Sequence, residues 1–140
     1  LSNLAFAAYE ARDLNIGVLI EPINHHDAED YFLSNVEQAA DYVEVIGAPN
    51  LKIMFDCYHV QIMQGDLQRR LEAHLPFVGH IQIAAAPSRA EPDEGEISYE
   101  RIIPAIDAMG YDGFIGAEYK PRTTTDEGLG WMTAYLSQAF

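Results

Sequence analysis

The sequence contains one cysteine, Cys57, and only eight Lys and Arg residues against 22 Asp and Glu. A single thiol excludes an internal disulfide and fits a reducing compartment, so a cytoplasmic location is expected. The scarcity of bases leaves a formal net charge of −14. A phosphate-tracking surface needs the opposite sign, so nucleic acid is not an expected partner. No apolar run approaches the roughly 20 residues that cross a bilayer, which removes the membrane as well. The opening LSNLAFAAYEARDL lacks the basic flank and cleavage site of a signal peptide. It also lacks an initiator Met, so the chain reads as a piece of a longer one. There is no Ser/Gly-rich linker, and residues 1–140 are expected to form a single domain.

What is present is a regular alternation. Four short segments rich in Val, Ile, Leu and Phe occur at 16–23 (IGVLIEPI), 51–56 (LKIMFD), 78–84 (VGHIQIA) and 114–119 (FIGAEY). Their near-continuous apolar character is that of parallel strands covered on both faces. Helical patterns separate them. The stretch 34–47 opens with Ser34 and Glu37 at capping-box spacing and closes on Gly47. A second helix is expected over 65–76, stopping at Pro76, and a third over 98–110, kinked or shortened by Pro104. The first residues and a run after Asp126 complete an α-β-α-β-α-β-α-β-α order. The fold class is therefore α/β with a parallel sheet. Four βα units are half of an eight-stranded barrel, at about half the usual length. An open doubly wound sheet is the rival, but no glycine-rich phosphate loop follows the first strand.

In parallel α/β folds the chemistry sits at the carboxyl ends of the strands. Those ends carry Glu21, Asp56, Gln82 and Glu118, separated by 35, 26 and 36 residues. Taken singly, a carboxylate in such a place is most often a helix cap or one end of a salt bridge. Four polar oxygens on four successive strands can instead converge at one mouth. Three carboxylates and an amide oxygen form a hard-oxygen set suited to Mg²⁺ or Mn²⁺. Without a cation they would repel one another and raise their own pKa values.

The motifs LIEPIN (19–24), FDCYHVQIMQGDL (55–67), VGHIQIA (78–84), EGEISY (94–99) and GAEYKPR (116–122) resemble the hydroxypyruvate isomerase family. That family includes 2-oxo-tetronate isomerases and belongs to the xylose isomerase-like (β/α)8 barrels. The resemblance spans essentially the whole chain and matches only the C-terminal half of the barrel, strands five to eight, with the N-terminal four units absent from this sequence. It implies a divalent metal held by Glu21, Asp56, Gln82 and Glu118. It also implies a small hydroxy-oxo acid substrate, with hydroxypyruvate and tartronate semialdehyde interconverted through an enediolate. Glu21 and Glu118 would then be the catalytic pair that shuttles the proton. The chemistry is coherent, because one group must remove a proton from one carbon and another return it to the next.

Other residues carry weaker signals. His59, expected in the loop after Asp56, matches a substrate contact in the family pattern, or else caps the following helix. His80 faces the same side of its strand as Gln82 and either orients a ligand or is a satisfied core histidine. Lys120 shares a face with Glu118 if the strand continues that far, as an anchor for a substrate carboxylate or as a surface ion pair. The long segment 84–97 has the length of a lid, and Arg89 within it is a plausible carboxylate clamp. Ala85 and Ala86 stand where the family commonly carries bulkier or polar residues, and Ala90 where its members vary, so an altered substrate choice is expected. His25 and His26 fit a solvated loop, and Cys57 fits a buried apolar position. A sugar epimerase is the nearest chemical alternative. A DNA-repair endonuclease would need several zinc-binding histidines and a basic groove, which this sequence lacks. A half-barrel also exposes two strand edges, so a self-associating or merely metal-binding module, or a homo-oligomer, is a further expectation.

Overall fold

The computed structural model describes residues 1–136. Its elements are α1 (Ser2–Arg12), β1 (Val18–Ile20), α2 (Val36–Ile46), β2 (Leu51–Asp56), α3 (Cys57–Met63), α4 (Leu67–His74), β3 (Val78–Ile83), α5 (Tyr99–Ala108), β4 (Ile115–Ala117) and α6 (Thr133–Leu136). Short 3₁₀ turns cover Leu75–Phe77 and Glu127–Met132. The four strands are all parallel and lie in the order β1-β2-β3-β4. A doubly wound sheet would reverse direction at a switch point, whereas consecutive order is the wall of a barrel. The last expected helix begins within the described residues; its end at 137–140 lies outside them. No helix among the described residues is long and apolar enough to cross a membrane.

Among the described residues, the helices pack on one face of the sheet. Leu51, Ile53 and Phe55 of β2 and Ile81 and Ile83 of β3 are buried against them. Val36, Ala39, Ala40 and Val43 supply the α2 stripe. The opposite face carries Leu19, Lys52, Met54, His80 and Gln82, none of them buried. The expectation of strands covered on both sides is thus met on one side within this chain. A register shift between Ile53 and Met54 accommodates Gly79, whose missing side chain leaves room for Lys52 and Leu19. Lys52 Nζ uses that space to donate to the Pro76 carbonyl at 2.8 Å.

Three local expectations are corrected. The cap of α2 is Asn35, not Ser34: its Oδ1 accepts the Gln38 N–H at 2.8 Å, while Glu37 pairs with Arg70. Helix α5 is not cut short at Pro104 but runs on to Ala108. The backbone acceptor that Pro104 leaves unserved is that of Glu100, an exposed residue that water reaches. An unexpected helix, α3, follows β2 without a loop, because Asp56 caps it. Oδ1 of Asp56 accepts the Tyr58 N–H at 2.8 Å. Cys57, Tyr58, His59 and Val60 are all buried, so α3 shows no amphipathic stripe by which to recognise it.

Segment 84–97 is packed rather than draped. Ala84, Ala85, Ala86, Ala90 and Ile97 are buried. Glu91, 2 % exposed, accepts the Arg122 N–H at 3.0 Å and pairs with Arg122 Nε at 3.0 Å. The Tyr99 hydroxyl donates to the Ala84 carbonyl at 2.7 Å and accepts the Ala84 N–H at 3.2 Å, fastening the exit from β3. Tyr99→Phe leaves both buried backbone groups unserved. It should cost about 2 kcal/mol, read as a fall in the urea midpoint; an unchanged midpoint would show the hydroxyl to be dispensable.

Candidate active site

Each strand places its polar oxygen by the same local logic. Asp56 and Gln82 are register partners on adjacent strands and so lie side by side. Glu21 follows directly on β1, and Glu118 follows β4, with its N–H continuing the ladder to the Ile83 carbonyl at 3.2 Å. Asp56 divides its carboxylate between two tasks. Oδ1 caps α3, while Oδ2 is buried without a hydrogen-bond partner. Glu21 Oε1 and Gln82 Oε1 are in the same condition. A buried polar oxygen without a partner costs about 1–3 kcal/mol, so three of them on successive strand ends need an explanation outside the protein's own hydrogen bonds.

Electrostatics point the same way. Burial, with repulsion from Asp56 and Glu118 and against the pull of Arg89, pushes the Glu21 carboxyl up to about 7. Burial also pushes Asp56 up to about 6, although the Tyr58 N–H and Arg89 oppose it. A cation at this mouth would satisfy the orphaned oxygens and relieve the repulsion at once. The donor set of carboxylate and amide oxygens fits a hard divalent ion.

His59 lies in the first turn of α3, not in a loop, and is 2 % exposed. Its Nε2 lies 3.8 Å from Glu21 Oε1 and 3.7 Å from Asp56 Oδ2. Glu21, Asp56 and His59 thus bring three potential ligand atoms within 4.8 Å of one another. The other ring nitrogen decides the role. Nδ1 accepts the Asn24 backbone N–H at 3.2 Å, with the Asn24 side-chain amide 2.6 Å away. The ring proton of the neutral imidazole therefore sits on Nε2, facing the carboxylates as a donor. Burial, helped by Arg89, pushes His59 down to about 4 and keeps it neutral.

Arg89 reaches across the mouth. One guanidinium nitrogen is 3.0 Å from Asp27 Oδ2 and another 3.0 Å from Glu118 Oε2. Glu118 is the most open of the three strand-end carboxylates, with its side chain 55 % exposed. Lys120 is not brought in on a strand, because β4 ends at Ala117. Its N–H donates to the Arg89 carbonyl at 2.7 Å, but its exposed side chain has no ion pair or hydrogen bond among the described residues. His80 lies against Gly116, where a Cβ would come within 2.8 Å of Nε2, and makes no hydrogen bond to Gln82. His25 and His26 are exposed and Cys57 is buried, as expected.

Sequence reasoning passed over two residues that shape the site. Asn24, wholly buried, turns the loop by accepting the His26 and Asp27 N–H groups on Oδ1. Asp27 accepts from the Tyr58 hydroxyl at 3.2 Å. Asn24 three residues before Asp27 is an Asx-turn signal, and it was there to be used. Nothing local links either residue to His59 or Arg89.

The chain matches the model of the family described as xylose isomerase-like TIM barrel over residues 1–135. It is 48 % identical over 138 residues to a 2-oxo-tetronate isomerase of Cupriavidus necator, covering 99 % of this chain and 53 % of that protein. A hydroxypyruvate isomerase of Escherichia coli is 42 % identical over 135 residues, covering 96 % of this chain and 52 % of that one. A crystal structure from Brucella melitensis titled as an AP endonuclease of family 2 superposes with a TM-score of 0.92 at 39 % identity, over 96 % of this chain and 52 % of that one. The chain spans about half the length of the curated relatives it matches.

Proposed function

Because the chain belongs to the xylose isomerase-like TIM-barrel family, we propose that it carries the metal and proton-transfer site of an isomerase acting on a small hydroxy-oxo acid. Hydroxypyruvate or a 2-oxo-tetronate is the substrate class, in line with the names of its relatives. One observation carries the reading: Glu21, Asp56 and Gln82 each present a buried, unpartnered oxygen at a successive strand end. Those three, with Glu118, would hold Mg²⁺ or Mn²⁺. Such an ion supplies Lewis acidity toward a carbonyl and adjacent hydroxyl, which makes the neighbouring C–H easier to ionise.

The protein's own groups do the rest. Glu21 and Glu118 come from the first and last strands of the sheet, so they can address a substrate from two sides as base and acid. His59, neutral and with its proton on Nε2, would donate to a substrate oxygen beside the strand-end carboxylates. Arg89, on releasing Glu118, would pair with a substrate carboxylate while Asp27 holds its other nitrogen. Lys120, exposed beside the Arg89 carbonyl, would contribute charge at the rim.

Other readings have less support. Several epimerases share the fold, for example a 3-keto-D-glucoside 4-epimerase of Escherichia coli with a TM-score of 0.85, but at 22 % identity that likeness is one of fold. An endonuclease role sits badly with a net charge of −14 and a single histidine at the strand-end cluster.

The test is calorimetric titration of the chain with Mn²⁺, beside Glu118→Gln, then hydroxypyruvate turnover with metal and after chelation. Stoichiometric binding, weakened about tenfold by the substitution, and turnover that disappears on chelation are expected. The effect of Glu118→Gln should be moderate because Glu118 is more than half exposed and is shared with Arg89. A folded chain that binds no Mn²⁺ would refute the site.

A further inference from the structure

Arg89 is held by its backbone as firmly as by its side chain. Its N–H donates to the Ala85 carbonyl at 2.8 Å, and its carbonyl accepts from Lys120 at 2.7 Å. Its φ is 55°, in the left-handed region. The guanidinium lies over the Tyr58 ring, 5.0 Å from the centroid, and its side chain is 20 % exposed. From there it forks to Asp27 and Glu118, at 3.0 Å each. Of the four strand-end residues, Glu21, Asp56 and Gln82 each keep a buried oxygen unpartnered. Glu118 is engaged, and its partner is a cation supplied by the protein.

Resting on the metal-site reading above, we infer that Arg89 competes with the divalent cation for Glu118. A carboxylate oxygen that faces a guanidinium at 3.0 Å has to give up that pair to turn fully toward a metal ion. Arg89 keeps a second anchor in Asp27, so releasing Glu118 does not leave the guanidinium without a counter-charge. The pairing therefore holds Glu118 in a defined place before the cation arrives, and it lowers the cation's affinity in return. The same positive charge repels the ion through space, so pairing and repulsion act in one direction. They separate in a double-mutant cycle, because only the pairing needs the Glu118 carboxylate.

The experiment is Mn²⁺ calorimetry on the unaltered chain, Arg89→Asn, Glu118→Gln and the double variant, with far-UV circular dichroism as the check on folding. Asn is chosen because it tolerates the left-handed backbone better than most residues. Arg89→Asn should bind Mn²⁺ about fivefold more tightly, the value of a strong, partly exposed ion pair. In the Glu118→Gln background the gain should shrink to less than about twofold. Arg89→Lys, which keeps the charge and loses the fork, should show a smaller gain of the same sign and serves if the Asn variant folds poorly. Unchanged or weaker binding in the Arg89 variants would overturn the competition and leave the metal site standing. An equal gain in both backgrounds would overturn the pairing in favour of simple repulsion. No stoichiometric Mn²⁺ binding by the folded, unaltered chain would overturn the inference together with the function it rests on.

Discussion

Asp56→Asn should lower Mn²⁺ affinity at least about a hundredfold, beyond what loss of a residue outside the ligand set usually costs, while leaving the metal-free chain no less stable. The two halves of this prediction come from the two oxygens. Oδ1 accepts the Tyr58 N–H at 2.8 Å and caps α3, and an asparagine oxygen does that equally well. Oδ2 is buried, has no partner and lies near Glu21, so replacing it with a neutral amide removes a charge that burial disfavours. Calorimetry reads the first effect, and thermal melting in chelator reads the second. Melting with saturating Mn²⁺ joins them. The unaltered chain should gain stability by mass action, and the variant should gain far less at the same Mn²⁺ concentration. A variant that binds Mn²⁺ like its parent would show that Asp56 is a cap and nothing more.

The second large effect is on stability. Gly95 has a φ of 83°, and a Cβ there would lie 2.3 Å from the Ala86 carbonyl oxygen. Ala86 is wholly buried, and its carbonyl already accepts the Glu96 N–H at 2.9 Å, so the backbone cannot yield easily. Gly95→Ala should therefore cost about 3 kcal/mol or more, made up of the left-handed backbone and the clash. Gly65 is the control. Its φ is 64° with nothing within 4 Å of a Cβ, so Gly65→Ala should cost only about 1–2 kcal/mol. Urea denaturation of the pair separates the two contributions. Equal losses at the two positions would mean that the close approach at Gly95 relaxes at no cost. Because segment 84–97 carries Arg89 and closes on Ala86, Gly95→Ala should also loosen the contact between Arg89 and Glu118.

The apolar segments and helical stripes were readable because they are local patterns, with strands of four to eight residues and a period of 3.6 in α2. So were the four strand-end oxygens, since a polar residue that ends an apolar strand stands out in one dimension. The sequence by itself therefore determined the parallel α/β class and the identities of Glu21, Asp56, Gln82 and Glu118 as the residues to examine. It could not show how their charges are shared out. That Asp56 spends one oxygen on α3, that Asn24 sets the proton of a histidine 35 residues away, and that Arg89 ties Asp27 to Glu118 are outcomes of packing. Each joins groups 29 to 62 residues apart or divides one side chain between two neighbours. No local period encodes such contacts, and only the folded sheet, by bringing the strand ends to one mouth, decides them.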